Sequence, residues 1–164
     1  MKHVLSAVVA LTVCVSASAK EPKKKTMLYS VTGEDIAAIV ELDGHKTELS
    51  VDSYGDPLLT VRTFEGDYQV LFYDCDEEKR CTSFEFRRWW TTEGGVSVDV
   101  INAYNVERRI GKAFLDSDGD ANLGFAVWTS GGVSADNILA QLHRYQQGMK
   151  DLEARLRQAI SAVP

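Results

Sequence analysis

Residues 70–86 read Val70-Leu71-Phe72-Tyr73-Asp74-Cys75-Asp76-Glu77-Glu78-Lys79-Arg80-Cys81-Thr82-Ser83-Phe84-Glu85-Phe86, and two separate features of this stretch predict one strand pairing. Apolar and polar residues alternate on either side of an acidic turn, which is the period of a half-buried antiparallel hairpin. Setting Cys75 opposite Cys81 also sets Phe72 opposite Phe84 and Val70 opposite Phe86. The disulfide register and the hydrophobic register therefore coincide, and the phenylalanines mark the core face. The pleat sends the bridge, Leu71, Tyr73, Arg87 and Trp89 to the other face. The spacing leaves open whether a helix covers that second face. Uncovered, an aromatic and arginine patch of this kind is where interface energy concentrates.

Upstream of this hairpin, Thr47, Leu49 and Val51 alternate with polar residues, 53–57 is turn chemistry, and a strand over 58–64 follows. Gly66-Asp67 reads as a two-residue turn that faces Val61 with Phe72 and Thr63 with Val70. Before these strands, Thr32 ahead of Gly33-Glu34-Asp35 predicts a capped helix over 33–42, with Val31 and Ile36 as its staple and Gly44 as its end.

Downstream, Gly94-Gly95 breaks the strand run and Ser97 caps a short helix through Arg108, with Asn102 and Asn105 on one face. A hairpin over 110–115 and 122–128 is predicted to turn at Asp118-Gly119, with Phe114 opposite Leu123 and Lys112 opposite Phe125. Its other face is small, at Gly111, Ala113, Gly124 and Ala126, and leaves room for a helix or another chain. Gly131-Gly132 precede a Ser134 cap. The last helix, 134–159, carries Ile138, Leu142, Tyr145, Met149, Leu152, Leu156 and Ala159 at a four-three spacing, facing its own sheet or a partner. The result is an α+β domain of order α-β-β-β-β-α-β-β-α, an antiparallel sheet with flanking helices and a long C-terminal helix.

The chain has 164 residues, 45% of them hydrophobic, the profile of one globular domain. Its net charge of -6 excludes a broadly basic surface for nucleic acid. Lys2 and His3 precede an apolar run over 4–15 that closes with Ala17-Ser18-Ala19, which predicts a signal peptide over 1–19 cleaved after Ala19. Lipidation at Cys14 is the alternative. A flexible lead-in, 20–30, and a single domain, 31–164, follow. The apolar run falls short of the roughly 20 residues a membrane-spanning helix needs, so no membrane partner is expected after cleavage. A periplasmic or secreted protein keeps Cys75 and Cys81 in an oxidising compartment, where a disulfide is the default.

No catalytic constellation stands out. His45 and His143 sit in no nucleophile motif, and there is no phosphate-cradling glycine loop. The run Asp116-Ser117-Asp118-Gly119-Asp120 lacks the glycine and the terminal glutamate of a calcium loop and reads as a hairpin tip. No metal and no cofactor is expected. Asn102 and Asn105 are expected to hydrogen-bond the backbone of adjoining loops.

In combination, several features resemble the YbjN family of bacterial proteins: the helix ending at Asp43-Gly44, Gly55-Asp56-Pro57-Leu58, Asp74-Cys75 to Cys81-Thr82-Ser83-Phe84-Glu85-Phe86, Asn102-Ala103-Tyr104-Asn105, Leu115-Asp116 with Gly119-Asp120, and Gly131-Gly132-Val133-Ser134. The family commonly has Trp where this chain has Tyr104. The resemblance implies a type III secretion chaperone-like fold, frequent dimerisation, and structural roles for Asn102, Tyr104, Asn105, Gly131 and Gly132. It carries the label of a sensory transduction regulator. The function expected is non-enzymatic binding of protein or peptide, with a homodimer as one form of partner, through Leu71, Tyr73, Arg87, Trp89, Leu152 and Leu156. A small-molecule sensor is the alternative, and a hydrolase comes third.

Overall fold

The computed structural model describes residues 26–92 and 95–161. The expected signal peptide with Ala17 and Ala19, Cys14, the first part of the lead-in, and Gly94 lie outside the described residues. In chain order the elements are β1 (Met27–Leu28), α1 (Gly33–Leu42), β2 (Lys46–Val51), β3 (Pro57–Arg62), β4 (Tyr68–Cys75), β5 (Cys81–Trp90), α2 (Val98–Glu107), β6 (Lys112–Leu115), β7 (Ala121–Trp128), β8 (Val133–Ser134) and α3 (Ala135–Ser161). The expected order is recovered with two short strands added. β1 falls inside the stretch read as a flexible lead-in and pairs with β8, so the ordered domain begins earlier than residue 31. Two-residue strands carry no periodicity from which sequence could find them.

The main sheet runs β2-β3-β4-β5-β7-β6, antiparallel throughout. At the central hairpin Val70 pairs with Phe86, Phe72 with Phe84 and Cys75 with Cys81, and the two cysteines form a disulfide. The other two hairpins depart from the expected register, each because its loop is longer than two residues. Val61 pairs with Tyr68, not with Phe72, since the chain turns over 62–67 and leaves Phe64 fully exposed. That shift keeps every side chain on its expected face. In the last hairpin Asp116 N–H bonds Asp120 O at 3.0 Å, which closes a five-residue loop and slips the pairing by one: Phe114 pairs with Asn122 and Ala113 with Leu123. A one-residue slip exchanges the faces. Ala113 enters the core, and Phe114 moves to the other side of the sheet.

All three helices serve one face of this sheet. α1 starts from a complete capping box: Thr32 Oγ1 accepts from Asp35 N–H at 3.2 Å and the Asp35 carboxylate accepts from Thr32 N–H at 3.0 Å. It buries Ile36, Ile39 and Val40. Ser97 stands at the N-cap of α2 as expected, but its hydroxyl makes no capping bond. α3 lies across the aromatic centre of the sheet, where Tyr145 stacks on Phe86 at 5.5 Å and meets Tyr68 edge-on at 5.6 Å.

Leu152 and Leu156 are buried in this layer, at 0% and 2% exposure. Their assignment to a binding surface is corrected: the α3 stripe packs on its own sheet and on α2. Sequence left both destinations open, because a four-three stripe looks the same against a sheet as against a partner helix. Gly148, within the stripe, is the close-approach point. Tyr104 Oη donates to Gly148 O at 3.3 Å, and a Cβ at 148 would stand 2.9 Å from Tyr104 Oη. Arg88 also joins sheet to helix through Glu153 at 3.2 Å.

Candidate binding surface

Residues paired directly across antiparallel strands project to the same side, so the register defines the second face row by row. One row runs Leu58-Leu71-Glu85-Ala126, the next Thr60-Gln69-Arg87-Gly124-Lys112, and flanking rows hold Trp89-Asn122-Phe114 and Tyr73-Ser83-Trp128. No described helix covers it. Trp89 is 48% exposed, Tyr73 42% and Trp128 67%, while Leu71 and Arg87 are half-buried. The structure therefore brings four of the expected residues together, Leu71, Tyr73, Arg87 and Trp89, and excludes Leu152 and Leu156. Sequence reading missed Trp128 and Phe114. Trp128 is placed by the long-range pairing of β5 with β7, which no local signal gives, and Phe114 was hidden by the slipped hairpin.

The bridge itself is not part of this surface, contrary to the simple pleat. β4 kinks at Asp74, whose φ is 55°, and the segment ahead of α1 closes over the cysteines. Val31 and Cys81 exchange two main-chain hydrogen bonds, at 2.9 and 2.8 Å, and Cys81 is fully buried. The Arg80 side chain adds bonds to Ser30 Oγ and Ser30 O, both at 3.0 Å. The disulfide hairpin thus anchors the entry to α1.

At the centre of the open face Glu85 organises two neighbours. Its Oε2 accepts from Arg87 at 2.6 Å and from Tyr73 Oη at 3.2 Å. Partial burial, followed by the Glu85 charge, raises the Tyr73 pKa above the ordinary phenol value. The Glu85 carboxylate occupies the space that glycine leaves at position 124, since a Cβ there would fall 2.0 Å from Glu85 Oε1. The expected room for a helix or a second chain is thus taken by this chain's own side chain. Arg87 also lies over the Phe114 ring, 5.6 Å from its centroid, with Lys112 at 5.8 Å. A cavity of about 350 Å3 opens beside Trp89, lined by Thr60, Asp67, Tyr68, Gln69 and Arg88.

The remaining candidates serve the scaffold. The Asp116 carboxylate accepts from the N–H groups of Asp118 and Asp120 and from the Asn122 amide, and these bonds, the Asp120 one first, lower its pKa. Both imidazoles approach one carboxylate: His143 Nε2 lies 2.8 Å from Asp43 Oδ1 and His45 Nε2 lies 3.3 Å from Asp43 Oδ2. They tie the end of α1 to α3. Gly131 and Gly132 have φ of 91° and 96°, and a Cβ at 132 would stand 3.0 Å from the Tyr29 ring. Of the two asparagines, Asn102 is exposed and Asn105 makes the backbone contact, its side chain accepting from Ala113 N–H and donating to Ala113 O, both at 2.9 Å. Asn105→Ala leaves both groups of Ala113 without these partners and is expected to cost about 1–3 kcal/mol, read as a lower urea midpoint at unchanged slope. An unmoved midpoint would contradict the structural role.

The geometry defines a class: an α+β domain whose antiparallel sheet is roofed by helices on one side and presents an aromatic and arginine face on the other. The chain matches the family model of YbjN, described as "Putative bacterial sensory transduction regulator", over residues 32–158. The match covers most of the chain, which belongs to the YbjN family. No curated protein matches it.

Proposed function

We propose that this chain is exported, to the periplasm or beyond, and acts there as a non-enzymatic domain that binds protein or peptide through the open sheet face. The observation that carries this reading is the uncovered group of Tyr73, Trp128, Trp89 and Leu71 around the Glu85–Arg87 pair. Rigid aromatic side chains on a strand lose little entropy on binding, and a half-exposed tryptophan beside an arginine is the composition enriched at interface hot spots. Export rests on the leader-like pattern of residues 1–19 and on the disulfide. Self-association is a separate reading, argued below for a different surface.

The test places a photo-crosslinking amino acid at Trp128 in the producing cell, with a control at Val106 on α2, and identifies adducts by mass spectrometry. A discrete protein adduct at 128 and none at 106 is expected. Trp89→Ala should lower the adduct yield by about thirtyfold, the effect of removing a hot-spot side chain, while the melting temperature holds. Equal adducts at both positions, or none at 128, would remove the reading. A small-molecule reading is favoured by one observation, the cavity beside Trp89. It requires a saturable rise in melting temperature that Gln69→Ala abolishes.

A further inference from the structure

An open antiparallel sheet ends in two edge strands, and this protein treats them differently. At β6 the Asn105 carboxamide occupies both main-chain groups of Ala113, standing in for a neighbouring strand. At the other end β2 pairs only with β3 among the described residues. β2 is six residues long and contains neither proline nor glycine. Such an edge presents unpaired N–H and C=O groups and invites another strand. Apolar side chains are exposed around it: Leu42 at 85%, Leu49 at 42%, Val51 at 68% and Tyr54 at 88%.

We propose that β2 pairs antiparallel with β2 of a second copy of this chain, about a two-fold axis at Leu49, so that the two sheets become one. The residue pattern selects that occupant, because the segment Lys46-Thr47-Glu48-Leu49-Ser50-Val51-Asp52 is complementary to itself in this register. Leu49 meets Leu49, Thr47 meets Val51, Glu48 meets Ser50, and Lys46 meets Asp52 at both ends. No like charges face each other. Moving the axis one residue back, to Glu48, sets two carboxylates directly opposite, which is unfavourable. Glu48 is already held by Arg62 at 3.0 Å within its own sheet and needs no partner across the axis. The pairing closes an edge of the main sheet that no described strand pairs with, and it is isologous, as a two-fold dimer requires. It uses neither the α3 stripe nor the aromatic face, so its failure leaves the proposed binding surface standing.

The experiment combines sedimentation equilibrium of the purified protein, from micromolar to near-millimolar concentration, with two cysteine variants. A monomer–dimer equilibrium is expected. Leu49→Cys places two thiols across the axis and should crosslink under mild oxidation; Val51→Cys is more exposed, but its thiols are four residues apart across the axis and should crosslink far more slowly. Lys46→Glu, an exposed change that turns both end pairs repulsive, should raise the dissociation constant about tenfold without moving the melting temperature of the dilute monomer. It also carries the test if Leu49→Cys disturbs the packing of Leu49 near Gly33. A monomer at every concentration overturns the proposal, as does a dimer that crosslinks no faster through residue 49 than through residue 51 or ignores Lys46→Glu.

Discussion

Leu152→Ala is expected to lower the unfolding free energy by about 2–5 kcal/mol, the range for truncating a fully buried leucine. Leu152 is 0% exposed and lies on α3 between Met149 and Leu156, which are equally enclosed by the sheet and by α2. Truncation removes apolar burial and leaves a cavity under a helix that further contacts hold at Gly148 and Glu153, so the layer cannot collapse to fill it. Against a typical total of about 5–15 kcal/mol this is a large fraction. Urea unfolding followed by circular dichroism should show a much lower midpoint at unchanged slope. Trp89→Ala, at a half-exposed site, should move the midpoint little. The opposite ranking, with Leu152→Ala nearly neutral to folding but disruptive of self-association, would place the α3 stripe against a partner.

That experiment addresses the place where sequence alone was silent. The period of α3 says that one side is apolar and not what covers it, and only the assembled layer shows Tyr145 on Phe86 and Leu152 enclosed. The central hairpin was legible because two constraints, the cysteine pair and the phenylalanine alternation, had to agree. The flanking hairpins carry one constraint each, their turn residues, and both loops are longer than two residues. The difference in consequence is a matter of parity. The β3–β4 error slid the strand by an even number and preserved the faces, whereas the β6–β7 error was odd and sent Phe114 to the open side. Most of the open face was therefore readable from Leu71, Tyr73, Arg87 and Trp89, and its extension by Phe114 and Trp128 was not. Asn105 was expected to bond a backbone, but that it would block an edge strand depends on which strand ends the sheet, a long-range fact.

Alkaline unfolding should be steep, because three tyrosines are wholly buried in the layer between sheet and helices. Tyr68, Tyr104 and Tyr145 are all at or below 1% exposure. Burial is the main cause that raises each phenol; the Asp151 charge adds to it at Tyr104, whose pKa is pushed up to about 12, and Tyr68 and Tyr145 are raised as well. An unfolded phenol titrates near 10. Below that pH both states keep their protons and stability is complete. Above it the unfolded chain releases three protons that the folded chain retains, so the unfolded state gains about 1.4 kcal/mol per pH unit for each tyrosine, or about 4 for the three together. Over about two units, up to the Tyr104 value, this consumes most of an ordinary domain's stability. Absorbance of tyrosinate and circular dichroism, followed together, should show one cooperative step in which these phenols ionise as the fold is lost. Tyr104→Phe removes one of the three protons and should reduce the dependence on pH by about a third, while costing the bond to Gly148 O at neutral pH. Smooth ionisation of every tyrosine with the circular dichroism unchanged would mean that the layer between α3 and the sheet admits solvent.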